Sequence, residues 1–176
     1  MIYRDLAYKA KCYYSQSGIK EIFLVLWKDG TSAVIFYRIA SFFRWIGLGI
    51  IGVIFLELNK FFNHCVIGRG VEFGEGLVLM HPVGVVINGG VKGGKNIVIE
   101  SGVVIGAARN GIPVEVPVLG NDVFIGAGAK VLGGIKIGNN VTIGANAVVI
   151  KDVPDGATVV GIPARVVKIK GKEVNS

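Results

Sequence analysis

Between Leu119 and Pro154 apolar and polar residues recur with a period of six: LGNDVF, IGAGAK, VLGGIK, IGNNVT, IGANAV, VIKDVP. The first place is always aliphatic (Leu119, Ile125, Val131, Ile137, Ile143, Val149). The fifth is small or aliphatic (Val123, Ala129, Ile135, Val141, Ala147, Val153). Gly holds the second place in four of the six, and Gly or Asn gathers near the fourth. Six fits neither the 3.6 of a helix nor the 2 of a strand. It fits a chain that turns a corner every six residues and stacks one aliphatic inside each flat face. Gly and Asn then sit where corners need positive φ. The pattern predicts a parallel β-helix.

The same period runs upstream with two breaks. IGRGVE and FGEGLV are in phase from Ile67; the next unit, LMHPVGVV from Leu79, has eight residues. INGGVK, GGKNIV and IESGVV then resume, Gly93 being the one poor lead residue. The second break spans Ile105 to Val118, fourteen residues where six would do. It predicts an extruded loop over 107–117. One break holds His81 and the other is a loop, and irregular segments on a rigid scaffold are where function concentrates.

Residues 1–62 carry no such period. Short helices are expected at Ile2–Ser15 and Ile19–Trp27. Asp29-Gly30 reads as a turn, with Thr31 or Ser32 capping a helix through Arg44. A further apolar helix is expected over Trp45–Phe62. Its uncharged run from Arg44 to Glu57 is about twelve residues, short of the ~20 that span a bilayer. Two readings stand: a buried cap on the end of the β-helix, or an interfacial helix resting on a membrane beside Arg38, Arg44 and Lys60. The expected organisation is a helical region 1–62, a β-helix 63–154 and a basic, frayed tail 155–176.

Composition sharpens this. Of 176 residues, 52% are hydrophobic, 18% charged and 27 are Gly, which implies a large core with many corners. The net charge of +7 points to an anionic ligand or surface. The chain lacks a basic run with interleaved aromatics, so nucleic acid is not expected. Two cysteines and no leader pattern suggest the cytoplasm, with the inner face of the membrane as an alternative. No Cys/His cluster has metal-ligand spacing, and no metal is expected.

HPVGVVIN, IGAGAKVLGGIKIG and VPDGATVVGIPARVV together resemble the serine acetyltransferase branch of the hexapeptide acyltransferases, over about Ile67 to Val167. The resemblance implies a left-handed β-helix, a homotrimer, and acetyl transfer from acetyl-CoA to a hydroxyl. It places the family's general base on His81. A hydroxyl is a poor nucleophile and imidazole titrates near neutrality, so the residue type suits the task. The family's histidine-orienting carboxylate falls on Val66, and the acidic residue preceding the histidine falls on Met80. Glu72, Glu75 or a backbone carbonyl are the candidate replacements. Family positions lining the CoA arm fall on Ala127 and Ala145, next to Gly126, with Arg165 and Lys168 available to the phosphates. His64 reads as structural.

The acceptor is where this chain departs. The Arg-His pair that binds serine in the family aligns with Glu115 and Val116. A carboxylate repels serine's carboxylate but suits the donor hydroxyls of a sugar. The expected acceptor is therefore a saccharide, a unit of a surface glycan, with Arg109, Glu115 and Val116 as substrate contacts. Serine is the alternative, its cation coming from Lys92, Lys95 or Arg109. A non-catalytic scaffold is the reading from a different class; it would have no use for a histidine at a coil break. The apolar 107–117 loop is expected to reach the neighbouring subunit near its His81.

Overall fold

The computed structural model describes residues 1–108 and 114–173. Short strands separated by sharp corners wind into a left-handed parallel β-helix with three faces. The first face stacks β1 (Val66–Ile67), β4 (Val86–Ile87), β7 (Val104–Gly106), β10 (Lys130–Leu132) and β13 (Val148–Val149). The second stacks β2 (Glu72–Phe73), β5 (Lys92–Gly93), β8 (Val118–Leu119) and β11 (Lys136–Ile137). The third stacks β3 (Val78–Leu79), β6 (Val98–Ile99), β9 (Phe124–Ile125), β12 (Thr142–Ile143) and β14 (Ala157–Val160).

The lead residues form the core in register. Ile67, Ile87, Ile105, Val131 and Val149 make one buried column, and Leu79, Ile99, Ile125, Ile143 and Val159 another. On the second face Phe73, Gly93, Leu119 and Ile137 align. Gly93 is no defect there: the Phe73 ring fills the space, and a Cβ at Gly93 would collide with it. Corners use the residue types the pattern suggested, with Asn96, Asp122, Asn140 and Asn146 all near φ 55°. Their neighbours form an amide ladder: the Asn139 Oδ1 accepts from the Asn121 N–H at 2.9 Å, and the Asp155 Oδ1 from the Asn139 N–H at 2.7 Å.

The helical region covers the first coil. Its elements are α1 (Ile2–Tyr14), α2 (Ile19–Val25), α3 (Thr31–Trp45) and α4 (Gly49–Asn63). Two expectations need correcting. Gly30, with φ 77°, caps α3 in place of Thr31 or Ser32, because the Thr31 hydroxyl is spent on the Val25 carbonyl at 2.6 Å. The apolar run does not continue from Trp45: Gly47, at φ 82°, lets the chain turn back so that α4 packs against α3. No described helix is long and apolar enough to cross a membrane. The tail is also more ordered than expected. β14 adds a rung to the third face, and β15 (Arg165–Ile169) and β16 (Lys172–Glu173) extend it antiparallel.

The cap meets the open end of the β-helix through polar contacts. The buried Arg38 guanidinium lies 2.8 Å from Asp5 and donates to the Phe73 carbonyl at 2.8 Å. Asp5 Oδ1 accepts from the N–H groups of Gly76 and Leu77. The Tyr37 hydroxyl accepts from the Phe73 N–H at 3.0 Å. Ile143→Asp should lower stability by about 4 kcal/mol or more, because the column offers the charge no partner. Ile150→Asp, on the exposed side of the next unit, should cost under about 0.5 kcal/mol. Urea titration of both variants measures the difference.

Candidate active site

The corner between the third and first faces is where the eight-residue unit falls. Backbone register fixes what stacks there. The N–H groups of Met80, Glu100, Gly126 and Gly144 bond to the carbonyls of Ile99, Ile125, Ile143 and Val159 in turn. His81, Ser101, Ala127, Ala145 and Gly161, the next residues along, therefore form one column down an edge of the prism. The column continues in its own bonds, Gly102 N–H to Val83 O, Gly128 N–H to Ser101 O and Asn146 N–H to Ala127 O, each 2.8–2.9 Å. Coils repeat at ~4.8 Å, so Ala127 and Ala145 sit about 10 and 14 Å from the His81 level. Below His81 the column holds only small side chains, which leaves a track of accessible backbone. Arg165, paired with Val160, stands beside Gly161 at its far end. Lys168, paired with Thr158, lies further along the strand and away from the column.

His81 opens into a cleft of about 440 Å³ between the coil and the helical cap, walled by Leu26, Trp27, Phe62 and Pro82. Its Nδ1 lies 3.2 Å from the Asp29 Oδ2. Both side chains are open to solvent in the single chain, 58% and 74% exposed. The carboxylates expected to serve it are engaged elsewhere. Glu72 pairs with Lys92 at 3.5 Å, and Glu75 with Arg4 and Lys95 at 2.6 and 3.1 Å. The hydrogen bond from Lys95 and then that from Arg4 hold the Glu75 carboxyl below its usual range. Asp29, from the turn before α3, occupies the position instead. Sequence reasoning had marked Asp29-Gly30 only as a turn; a dipeptide 52 residues from His81 carries no sign of that contact.

Two further residues of the cleft were missed. Lys28 lines it, with its Nζ lying over the Tyr13 ring at 5.4 Å from the centroid. His64, expected to be structural, lines it too, held at φ 49° as the residue closing α4. Of the loop, Arg109 lies outside the described residues. Glu115 and Val116 pack against Gly134 and Gly90. Those glycines belong to the corner between the first and second faces, a different edge from His81. Lys92 is on the second face and Lys95 on the corner following it, so neither reaches the cleft.

The chain matches the family described as "Bacterial transferase hexapeptide (six repeats)" over residues 117–151. It is 38% identical over 152 residues to the serine acetyltransferase of Bacillus pumilus, covering 86% of this chain and 70% of that one. With the Synechocystis serine acetyltransferase it shares 40% over 146 residues, 83% of this chain and 59% of the relative. The crystal structure of Neisseria gonorrhoeae serine acetyltransferase superposes with a TM-score of 0.83 at 29% identity, covering 99% of this chain and 66% of that one. A serine acetyltransferase solved in complex with CoA superposes at 0.80 and 26% identity, covering 94% and 68%. The chain belongs to the hexapeptide-repeat acyltransferases, on the serine acetyltransferase branch. It spans 70% of the length of the Bacillus relative and 59% of the Synechocystis one. A saccharide acceptor, expected from Glu115 and Val116, has no support among these relatives; they favour the alternative, serine.

Proposed function

We propose that the chain is an acetyl-CoA-dependent serine O-acetyltransferase in which His81 is the general base. The observation that carries this is the position of His81, at the head of a column of small residues and at the mouth of a cleft. The column suits an extended thioester arm laid along Gly126, Ala127 and Ala145, with Arg165 at its phosphate end. The cleft suits the acceptor. His81 takes the proton as the hydroxyl oxygen attacks the thioester carbon, and a backbone N–H of the coil edge stabilises the oxyanion. The C–S bond then breaks, and the proton returns to the departing CoA sulfur. No covalent enzyme intermediate is needed when both substrates are held together.

An amino acid acceptor needs a cation for its carboxylate and an anion for its ammonium. Lys28, which lines the cleft and now rests its Nζ over the Tyr13 ring, is the cation within reach. The anion comes from a second copy: the loop bearing Glu115 stands on a different edge from His81, so it serves this chemistry only at a neighbour's cleft. Cyclic packing of three prisms gives three equivalent sites of that kind. Trp27 and Phe62 support a second reading, since flat apolar walls also suit a pyranose ring, with Glu115 accepting from its hydroxyls.

His81→Ala should reduce the rate of CoA release by about 10²–10⁴-fold while acetyl-CoA still binds. Near wild-type turnover would remove the assignment. With wild-type protein, serine should support CoA release, and Lys28→Ala should raise the serine KM about tenfold or more while sparing that for acetyl-CoA. Release with a nucleotide sugar and none with serine would establish the second reading instead. Sedimentation at micromolar concentration should give three times the 18.6 kDa chain mass; a monomer would leave Glu115 without a site to serve.

A further inference from the structure

Lys9 is sealed inside the molecule at 2% exposure, and the chemistry above gives it no part. Its Nζ donates to two carbonyls, that of Asp29 and, at 3.2 Å, that of Leu79. The first belongs to the residue whose carboxylate faces His81. The second lies two residues before His81, at the end of β3 where the corner bearing His81 begins. One ammonium thus joins the backbones that carry the two halves of the Asp29–His81 pair. The joint is tight: Gly30 lies directly on the Leu79 oxygen, and a Cβ there would collide with it. Thr31 holds the other side of the turn through Val25.

An ammonium in this position is costly. Burial pushes its pKa down to about 8, opposed by the nearby Asp29 and Cys12, with Lys28 pushing the same way as burial. Methionine would fill similar space without that cost. What it would lack is the pair of directed donors that set the turn's height against the catalytic strand.

We propose that Lys9 and Asp29 are positioning residues acting in series: Lys9 pins the Asp29 turn to the catalytic coil, and the Asp29 carboxylate fixes the tautomer and orientation of His81. With Nδ1–H directed at Asp29, Nε2 keeps its lone pair toward the acceptor. The cap is then part of the catalytic apparatus, and the carboxylate missing at Val66 and Met80 is replaced from the helical region. The kinetic consequence rests on the acetyl transfer proposed above; the spectroscopic one does not.

The test combines imidazole ¹⁵N NMR of His81 with steady-state kinetics on wild type, Asp29→Ala, Lys9→Met and the double variant. In wild type the neutral ring should be protonated at Nδ1. Asp29→Ala and Lys9→Met should each give a tautomer mixture and lower kcat about tenfold or more, with the acetyl-CoA KM unchanged. Because Lys9 acts through Asp29, adding Lys9→Met to Asp29→Ala should cost less than about a further twofold. Additive losses, or a Lys9→Met variant that melts lower but keeps the wild-type tautomer and kcat, would overturn the series. The exposed Asp29 side chain can be removed without unfolding, so an unchanged His81 tautomer in Asp29→Ala overturns the proposal even if Lys9→Met does not fold. A wild type that transfers no acetyl group, yet shows the tautomer dependence, would sink the proposed reaction and leave the relay standing.

Discussion

A parallel β-helix pairs every coil with the coils above and below, and so its first coil has nothing on one side. The backbone groups of β2 and β3 there would be buried without partners under any apolar cover, at a cost of about 1–3 kcal/mol each. This constraint organises the helical region. Arg38 meets Phe73 O, Tyr37 meets Phe73 N and Val71 O, Asp5 meets Gly76 N and Leu77 N, and Lys9 meets Leu79 O. The cap is a hydrophobic lid whose underside is a set of side-chain donors and acceptors matched to one strand edge. The Asp5–Arg38 pair can be buried because each ion also bonds that edge; an ion pair alone would barely repay its desolvation.

Satisfying the edge also brings the cap to the site. His81 follows β3, a strand with no neighbouring strand on its outer edge, so whatever covers β3 must lie beside His81. The turn at Asp29-Gly30 is that cover. Structural closure and the supply of a carboxylate are one contact seen from two sides, and Lys9 is the residue in which they coincide.

The six-residue period was enough to place every lead residue from Ile67 to Val149 except Gly93 in the core, because the corner geometry and the sequence repeat are the same length. The poor lead at Gly93 was legible as an exception, but its cause was not: Phe73 compensates from the coil below, one turn away in sequence. The helices were legible in outline. Their joints were not, since the break at Gly47 and the cap at Gly30 depend on how α4 folds back and how closely the turn meets Leu79. The site divided in the same way. His81 and the small residues of its column follow from the repeat. Asp29 and Lys28 come from a segment without period, held in place by contacts that no local pattern encodes. Glu72 and Glu75 were plausible substitutes by proximity in sequence, yet their faces turn them toward Lys92, Arg4 and Lys95.

That division has a chemical meaning. In the proposed reaction the donor thioester is the same molecule in every turnover and is long and thin; a straight edge of stacked small residues would be a sufficient groove for it, and repetition builds such an edge at little cost in information. The acceptor has to be recognised by shape and charge, which a repeat cannot vary without disturbing its own stacking. Under the proposed reaction, recognition therefore falls to the two interruptions and the cap: the corner at His81, the 107–117 loop and the turn from Leu26 to Ser32. Substitutions there can change the charge presented to the acceptor while every aliphatic column stays intact. Glu115 and Val116, where the family resemblance expects an Arg-His pair, are a difference of that kind. It puts a carboxylate on the loop, while Lys28 stands on the cap.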